Sequence, residues 1–497
     1  MLHERAGESA VKHSDPLLMT NEFIDRRICG VLYFAGPGRS VLVMDRCLEE
    51  NFGRFSSGNS HGAAVVPVEN VTGLITSPGG LEEILDSNGA DMLIILVSTR
   101  IPLLVLKKFL GRGNLRYIAS YAVIPGFGNP RWFFPTEVKV LKRRWNIIKT
   151  GSLRSLLTFR LLQFFALAGY PQLIFHYRIV IAGRKGRRIA ASGILKEFIS
   201  QRLGRKDIDC ILYTGIYSFY QKFTVLVMDK NSEIIAYARI GHTEQVRERI
   251  NNEVKALNYL ATLNFSTIRF PRVVSFDKLG CTSDIIVIQT PSPDGYKKLS
   301  KRLTTAHVAS LIELFRKTTR NVHGKFLIEG LEKDFDKVRK NVSWNKVEIL
   351  SALEGTLQIL RKKLESTVVT LGFSHGDFIP WNLYLGGSGL FAFDWEVAKH
   401  RVPLWDLYYF ILYNEILESS RNYKTVLNLL TDRNNAYAEY ISRYQRSFED
   451  SMFFDRNVFL AVTLYEIIIF YADYCYKTDE KLITACLSIL KEIQRKL

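Results

Sequence analysis

Residues 372–406, GFSHGDFIPWNLYLGGSGLFAFDWEVAKHRVPLWD, are the stretch of sequence that decides the fold. Glycines near its centre predict a tight turn between two short strands, at 383–385 and 390–393. Asn382 and Asp394 stand at the two ends of that predicted hairpin. Because a hairpin brings its outer ends together, both side chains are expected to face one site and to offer it amide and carboxylate oxygens.

This stretch resembles a known catalytic loop. Residues 375–382, HGDFIPWN, match the H-G-D-x-x-x-x-N loop of the aminoglycoside phosphotransferase and choline kinase-like family, which has a protein-kinase-like fold. The sequence DWE at 394–396, which begins 12 residues after Asn382, is similar to the metal-binding segment of that family. Asp406, 12 residues further on, is similar to its structural aspartate. The resemblance covers about residues 205–497.

The resemblance implies a phosphotransferase that moves the γ-phosphate of ATP to a hydroxyl of a small molecule, such as a sugar, amino-sugar or amino-alcohol. Asp377 would accept or orient the proton of that hydroxyl. His375 is the second catalytic candidate, although hydrogen bonding to the loop backbone suits it better than the role of a base. Asn382 and Asp394 would supply oxygens to Mg²⁺, a hard cation that prefers oxygen ligands. Phosphoryl transfer relies on positioning and charge neutralisation, which these residue types provide.

The nucleotide-binding candidates lie upstream of the loop. Arg239 stands where the family has a phosphate-binding lysine, and Glu253, 14 residues later, is similar to the partner of that lysine. Arginine can clamp phosphates but has a larger planar head, and an exposed charge on a strand is the alternative interpretation of Arg239. Gly215 and Ser218 fall in the loop expected to cover the phosphates. Gln289 falls at the expected hinge between the lobes, where backbone groups would bind adenine.

The predicted elements form a β-rich lobe that is followed in the chain by a helical lobe. Residues 207–290 are predicted as strand, strand, strand, helix, strand, strand, and residues 291–497 as mainly helical. Upstream, a small α/β domain of unknown role is predicted at 21–135, after a frayed terminus at 1–20. The predicted fold is therefore an α/β N-terminal domain plus an α+β bilobal protein-kinase-like domain.

Element positions follow from apolar runs and turn residues. The predicted N-terminal strands are 30–35, 40–45, 63–68 and 92–97, with helices at 81–86 and 102–110. The continuous apolar run at 92–97 is typical of a buried parallel strand. The predicted strands of the β-rich lobe are 208–213, 223–229, 233–240, 272–276 and 284–289, with one helix at 244–263.

The net charge is +18 for 497 residues, and most of it is local. Residues 131–206 contain 17 Lys and Arg residues but two acidic residues, a net charge of +15. This stretch is predicted as a basic amphipathic linker at 136–206, which either lies on an anionic membrane surface or carries a solvated basic face. Nucleic acid is disfavoured as a partner because no zinc-finger, helix-turn-helix or RNP pattern occurs.

Cysteine usage and the N-terminal sequence indicate the compartment. None of the six cysteines forms a CxxC pair, which favours a reducing environment with cysteines as small core residues. The first residues lack the apolar core of a signal peptide, and no run is long enough to predict a spanning helix. The predicted location is cytoplasmic, or peripheral at a membrane.

Two other functions stay open. One is a pseudokinase or nucleotide-binding module, since Arg239 and a phosphate loop with a single glycine depart from the family pattern. The other is the kinase-like part of a bifunctional protein in surface-polysaccharide or lipid-linked sugar metabolism. Trp381 and Glu396 are expected to pack against or support the catalytic residues. Glu415, after Asp406, could attract a cationic acceptor or simply be solvated.

Overall fold

The structure, a computed structural model, describes seventeen segments of the chain. They are residues 40–45, 64–68, 80–98, 103–112, 115–124, 132–135, 177–185, 193–214, 220, 222–231, 233–279, 284–298, 302–340, 347–387, 389–447, 455–474 and 480–497. The chain divides into two compact units. The first comprises Met1–Ile250 and Val273–Pro291, and the second comprises Asn251–Arg272 and Ser292–Leu497.

Strands and helices are numbered along the chain. The described strands are β1 (Ser40–Asp45), β2 (Ala64–Val68), β3 (Met92–Ser98), β4 (Leu115–Ile124), β5 (Trp132–Pro135), β6 (Tyr177–Arg184), β7 (Ile208–Tyr213), β8 (Phe223–Asp229), β9 (Ile234–Gly241), β10 (Ile268–Arg269), β11 (Val273–Lys278), β12 (Ile285–Gln289), β13 (Lys297–Lys298), β14 (Arg320–His323), β15 (Val368–Ser374), β16 (Leu383–Gly386), β17 (Gly389–Ala392) and β18 (Lys399–Arg401). The described α-helices are α1 (Gly80–Ser87), α2 (Leu103–Arg112), α3 (Gly193–Leu203), α4 (Glu244–Ala261), α5 (Thr305–Thr318), α6 (Gly324–Lys340), α7 (Val347–Leu364), α8 (Trp405–Leu412), α9 (Tyr423–Thr431), α10 (Ala438–Arg446), α11 (Arg456–Tyr474) and α12 (Glu480–Gln494).

The described strands of the first unit form one mixed sheet. Their order is β11-β12-β9-β8-β7-β5-β4-β6-β3-β1-β2. β1 pairs in parallel with β2 and β3, and the other neighbours pair antiparallel. The prediction of a buried parallel strand at 92–97 is confirmed, because Leu93, Ile94 and Ile95 of β3 have no exposed surface. The predicted strand at 30–35 lies outside the described residues.

The sheet continues from the N-terminal strands into the strands predicted for the β-rich lobe. β5 pairs with β7 through Trp132 opposite Tyr213 and Phe133 opposite Leu212. The sequence predicted separate domains at 21–135 and 207–290, whereas their described strands are joined by hydrogen bonds in one sheet. This pairing occupies the side of β7 that would otherwise be an open edge.

Part of the predicted basic linker is a strand of this sheet. β6 lies between β3 and β4, and Ile179, Val180, Ile181 and Ala182 are at most 2% exposed. This corrects the linker prediction for 177–184, because four consecutive apolar residues fill an interior strand although arginines flank them. Helix α3 follows. Residues 136–176 and 186–192 lie outside the described part, so the linker and its membrane surface stay predictions there.

The second unit is mainly helical, as predicted. Its described strands form two small sheets, β10-β17-β16-β13 and β14-β15-β18. Every side chain of α8 is buried, and α8 packs against α11. A helix that is apolar on all sides is stable only inside a core, so α8 forms the centre of this unit.

The boundary between the units differs from the predicted lobe boundary. Residues 251–272 belong to the second unit, although the sequence placed them in the β-rich lobe. The reason is local pairing: Ile268 and Arg269 of β10 pair in parallel with Leu390 and Phe391 of β17. The C-terminal part of α4 is thereby tied to the chain around the predicted metal-binding segment.

Two further sequence expectations concern membranes and cysteines. In the described segments, no helix combines the length and the apolar character needed to cross a membrane. Cys210 and Cys486 are free and buried, and burial raises the pKa of the Cys210 thiol to about 12. These two cysteines are small core residues, as expected; the other four lie outside the described part.

Candidate active site

The HGD loop is held by one carboxylate. Asp406, in the first turn of α8, accepts the backbone N–H of His375 at 2.8 Å and that of Gly376 at 2.9 Å. Gly376 has a φ of +81°, which favours glycine. The backbone of the loop that follows β15 is therefore fixed by the carboxylate of Asp406 and by the conformation of Gly376.

His375 supports the loop through contacts with its backbone. Its Nδ1 accepts the backbone N–H of Asp377 at 3.2 Å, and its Nε2 lies 3.0 Å from the carbonyl oxygen of Phe393. These contacts assign the proton to Nε2, because Nδ1 acts as an acceptor. Burial lowers the pKa of His375, so the ring is neutral. The prediction that His375 is a catalytic residue is corrected to a positioning role, because both ring nitrogens contact the backbone.

The carboxylate of Asp377 is oriented from two sides. Nδ2 of Asn382 donates to its Oδ2 at 2.8 Å, and the hydroxyl of Tyr409 donates to its Oδ1 at 3.2 Å. Burial, together with the negative charges of Asp394 and Glu396, raises the pKa of Asp377 from 3.8 to about 7. The group that the sequence selected as the base thus sits in an environment that increases its affinity for a proton.

The predicted hairpin is confirmed and carries Asn382 at its start. The short 3₁₀ helix Pro380–Asn382 leads into β16, and β16 pairs antiparallel with β17. The backbone N–H of Phe393, just after β17, donates to the carbonyl oxygen of Asn382 at 3.1 Å. The two ends of the hairpin therefore meet, which brings the chain at Asp394 next to Asn382. Trp381 is 41% exposed, and its support of the catalytic residues stays a prediction.

The DWE segment has an unusual backbone and a buried anchor. Asp394 has a φ of +76°, a region that residues with side chains seldom occupy. Such strain is found mainly where a side chain must point in a particular direction. The indole N–H of Trp395 donates to the carbonyl oxygen of Ala392 at 2.8 Å, and the ring lies 4.5 Å from that of His375. Trp395 therefore fixes the segment from which Asp394 projects.

Helix α4 holds the same segment from the other side. The buried carboxylate of Glu253 accepts the backbone N–H of Trp395 at 3.3 Å. Nδ2 of Asn252 donates to the carbonyl oxygens of Glu396 at 2.9 Å and Ala398 at 3.0 Å. The pairing of Glu253 with Arg239 stays a prediction; in the structure Glu253 supports the predicted metal-binding segment.

Asn382 and Asp394 offer the amide and carboxylate oxygens that the predicted Mg²⁺ would take as ligands. Because Nδ2 of Asn382 is engaged by Asp377, its Oδ1, which no described residue hydrogen bonds, is the atom available to a cation. Across the described segments, no cluster of three or more His, Cys, Asp or Glu side chains could hold a metal. Mg²⁺ in phosphoryl-transfer sites takes one or two protein ligands and completes its shell with phosphates and water, so a pair of ligands is the expected number.

Two of the predicted nucleotide-binding residues, Arg239 and Gln289, lie in the first unit, whereas Glu253 lies in the second. Arg239 lies on β9 and is 6% exposed, so the alternative of an exposed strand charge is wrong. Gln289, the last residue of β12, is buried. Its Nε2 has no hydrogen-bond partner among the described residues. Gly215 and Ser218 lie outside the described residues, and their roles stay predictions.

Sequence reasoning missed two contributors to the site. Tyr409 was not predicted, although it lies three residues after Asp406 and therefore on the same face of α8. That spacing was the feature of the sequence that could have identified Tyr409. Arg401 was also missed: its side chain is buried, donates to the carbonyl oxygen of Val397 at 3.1 Å and stacks over Trp405. No pattern in the sequence marks it.

Glu415 is buried and paired with a cationic side chain. Its carboxylate accepts the hydroxyl of Tyr437 at 2.5 Å and lies 2.9 Å from the guanidinium of Arg421. An acidic side chain already paired in this way has little attraction left for a cationic acceptor.

The comparison with protein families agrees with the motif. Residues 222–440 match the model described as the phosphotransferase enzyme family. This match confirms the resemblance predicted from the HGD loop and the DWE segment, and it includes both of them. This region has the protein-kinase-like fold predicted for it, a β-rich lobe followed by a helical lobe. No curated protein sequence matches the chain.

Several solved structures are similar to part of the chain. One is a putative aminoglycoside phosphotransferase from Ralstonia eutropha, with 12% identity and a TM-score of 0.41, covering 61% of this chain and 98% of that one. Another is the gentamicin complex of APH(2")-IIa, with 14% identity and a TM-score of 0.37, covering 60% and 94%. A third is a thermostable mutant of APH(4)-Ia with ADP and hygromycin B, with 9% identity and a TM-score of 0.41, covering 61% and 98%.

Proposed function

We propose that the protein is an ATP- and Mg²⁺-dependent phosphotransferase that acts on a hydroxyl of a small molecule, of the sugar, amino-sugar or amino-alcohol class. The observation that carries the proposal is the environment of the Asp377 carboxylate. Its carboxylate is fixed by Asn382 and Tyr409, and burial with neighbouring negative charge raises its pKa. A carboxylate so placed suits the proton of an acceptor hydroxyl.

The residues of the site are proposed to have separate roles. Asp377 orients the acceptor hydroxyl and receives its proton as the oxygen attacks phosphorus. His375 and Asp406 keep the loop backbone in place through the hydrogen bonds described above. Asn382 and Asp394 would hold Mg²⁺, which when bound neutralises the charge on the transferred phosphate and its leaving group. Glu253 keeps the segment that bears Asp394 in position.

Arg239 is proposed to bind the nucleotide phosphates. Arg239 lies on β9, in the interior of the sheet, and arginine carries a permanent positive charge. Arginine offers two donors side by side to phosphate oxygens. The pseudokinase alternative depends on Arg239 being unable to replace lysine, and a turnover measurement separates the two functions.

The test replaces the proposed base with its amide. Asp377→Asn is expected to lower kcat by about 10²–10⁴-fold, the usual contribution of a general base. ATP binding, measured as the shift in unfolding temperature with Mg·ATP, should be unchanged because Asn has the same shape. The matched control is Asp336→Asn, since Asp336 is exposed on α6, and it should behave as wild type. Wild-type turnover in Asp377→Asn would refute the assigned base.

A further inference from the structure

Two tyrosine hydroxyls extend from the carboxylate of Asp377 into the core of the second unit. The hydroxyl of Tyr409 donates to Oδ1 of Asp377 at 3.2 Å. The same hydroxyl lies 2.5 Å from that of Tyr471. Tyr409 is 1% exposed and Tyr471 is 8% exposed, so water competes little for either hydrogen bond.

The direction of these hydrogen bonds follows from the number of protons. A phenol has one proton to donate, and an ionised carboxylate can only accept. Since Tyr409 donates to Asp377, the proton between the two tyrosines must come from Tyr471. Hydrogen bonds linked in this order polarise one another. Burial raises the pKa of Tyr409 well above 10, so its hydroxyl keeps the proton.

One helix fixes both the backbone and the side chain of the proposed base. Asp406 and Tyr409 are three residues apart on α8 and lie on the same face. Asp406 holds the backbone just before Asp377, and Tyr409 holds the carboxylate. Tyr471 belongs to α11, which packs against α8, so it braces Tyr409 from a second helix.

We infer that Tyr409, supported by Tyr471, is a positioning residue that keeps the carboxylate of Asp377 turned toward the acceptor hydroxyl. The inference rests on the proposed phosphotransferase function. Asn382 holds Oδ2 and Tyr409 holds Oδ1, so the two donors together prevent rotation of the carboxylate. Loss of one donor leaves a carboxylate that still accepts a proton but spends less time in the productive orientation.

The test removes single hydroxyl groups. Tyr409→Phe should lower kcat for phosphoryl transfer from Mg·ATP about tenfold, the effect expected for one hydrogen bond to a charged group. KM for ATP should not change, because Tyr409 does not serve the nucleotide. The assay uses the full chain, with a panel of hexoses, amino-sugars and amino-alcohols as acceptors and ATP hydrolysis by water as the background reaction.

Tyr408→Phe is the matched control. Tyr408 is the neighbouring residue on α8, is fully buried, and has its hydroxyl near Arg456, away from Asp377. It should retain wild-type kcat. A general loosening of α8 would instead lower kcat in both variants and so contradict the inference.

The second hydroxyl supplies an independent readout. Tyr471→Phe should lower kcat about two- to threefold, because it weakens the bond from Tyr409 without removing it. The double variant should equal Tyr409→Phe, since residues that act in series are not additive. Tyr471→Phe also serves as the test if Tyr409→Phe does not fold.

The outcomes separate the inference from the function it rests on. An active wild type with wild-type kcat in Tyr409→Phe, or with additive effects in the double variant, would overturn the inference alone. A wild type that transfers phosphate to no acceptor would overturn the proposed function and the inference with it.

Discussion

Gly376 shows how a single residue without a side chain positions the site. Its backbone turns between His375 and Asp377 with a φ of +81°. A Cβ atom at this position would lie 2.6 Å from the carbonyl oxygen of Val397 and 2.7 Å from the guanidinium of Arg401. The backbone approaches so closely because Asp406 accepts the N–H groups of both His375 and Gly376.

Gly376→Ala should therefore lower the free energy of unfolding by about 2–4 kcal/mol, since backbone strain of this kind alone costs about 1–3 kcal/mol. The matched control is Gly330→Ala on α6, where a new Cβ meets no atom within 4 Å. That change should stabilise the protein by up to about 1 kcal/mol, because alanine favours a helix over glycine. Urea unfolding of both variants provides the measurement. Equal effects of the two substitutions would contradict the account of the loop.

At the scale of elements, α5 is fastened to the segment that leads into β10. The carboxylate of Glu313 accepts four hydrogen bonds, from the backbone N–H and hydroxyl groups of Ser266 and Thr267, at 2.6–2.9 Å. Burial opposes ionisation, but these four bonds lower the pKa of Glu313 to about 2. Since β10 pairs with β17, Glu313 connects a helix to the hairpin that carries Asn382.

This carboxylate predicts a pH dependence of stability. Its pKa is lower in the folded chain than the ordinary 4.5, so it stabilises the fold at pH values above about 4.5. That stabilisation should be lost as pH falls from about 4.5 to about 2. Urea midpoints of wild type and Glu313→Gln should therefore differ at pH 6 and converge toward pH 2. Glu329→Gln, at a half-exposed position on α6, should show no such convergence; a constant difference for Glu313→Gln would contradict the assignment.

The elements also show which structural features the sequence predicts. The pattern placed β7 at 208–213, β8 at 223–229 and the hairpin within one residue of their observed positions, because turn residues bound each apolar run. It missed β6, since arginines before and after the run at 179–182 favoured a surface helix. The spacing from Asp406 places Tyr409 on the same face of α8, but its contact with Asp377 could not be predicted, because that contact depends on how α8 packs against the loop.

At the scale of the molecule, the first unit is organised around one sheet. Its described strands run from β2 at one edge to β11 at the other, and β5 covers the side of β7. The N-terminal strands therefore complete the sheet on which Arg239 lies. The sequence could not show this, since strand pairing across separate segments leaves no local pattern.

A shortened chain tests the role of the shared sheet. Removal of residues 1–192 deletes β5 and leaves β7 as an open edge strand, and open edges pair with other chains. The shortened protein should unfold at a lower temperature and associate as its concentration rises, as measured by sedimentation velocity. A monomeric protein with the unfolding temperature of the full chain would show that β5 contributes little.

The central claim is that Asp377 serves transfer of a phosphoryl group to a small-molecule hydroxyl. Mass spectrometry of the acceptor panel after incubation with Mg·ATP and the full chain tests it most directly. The account predicts that one class of hydroxyl acceptor gains a phosphoryl group with wild type and with Asp336→Asn, and not with Asp377→Asn. An acceptor phosphorylated equally by Asp377→Asn, or ATP binding with no phosphorylated acceptor in the panel, would contradict it.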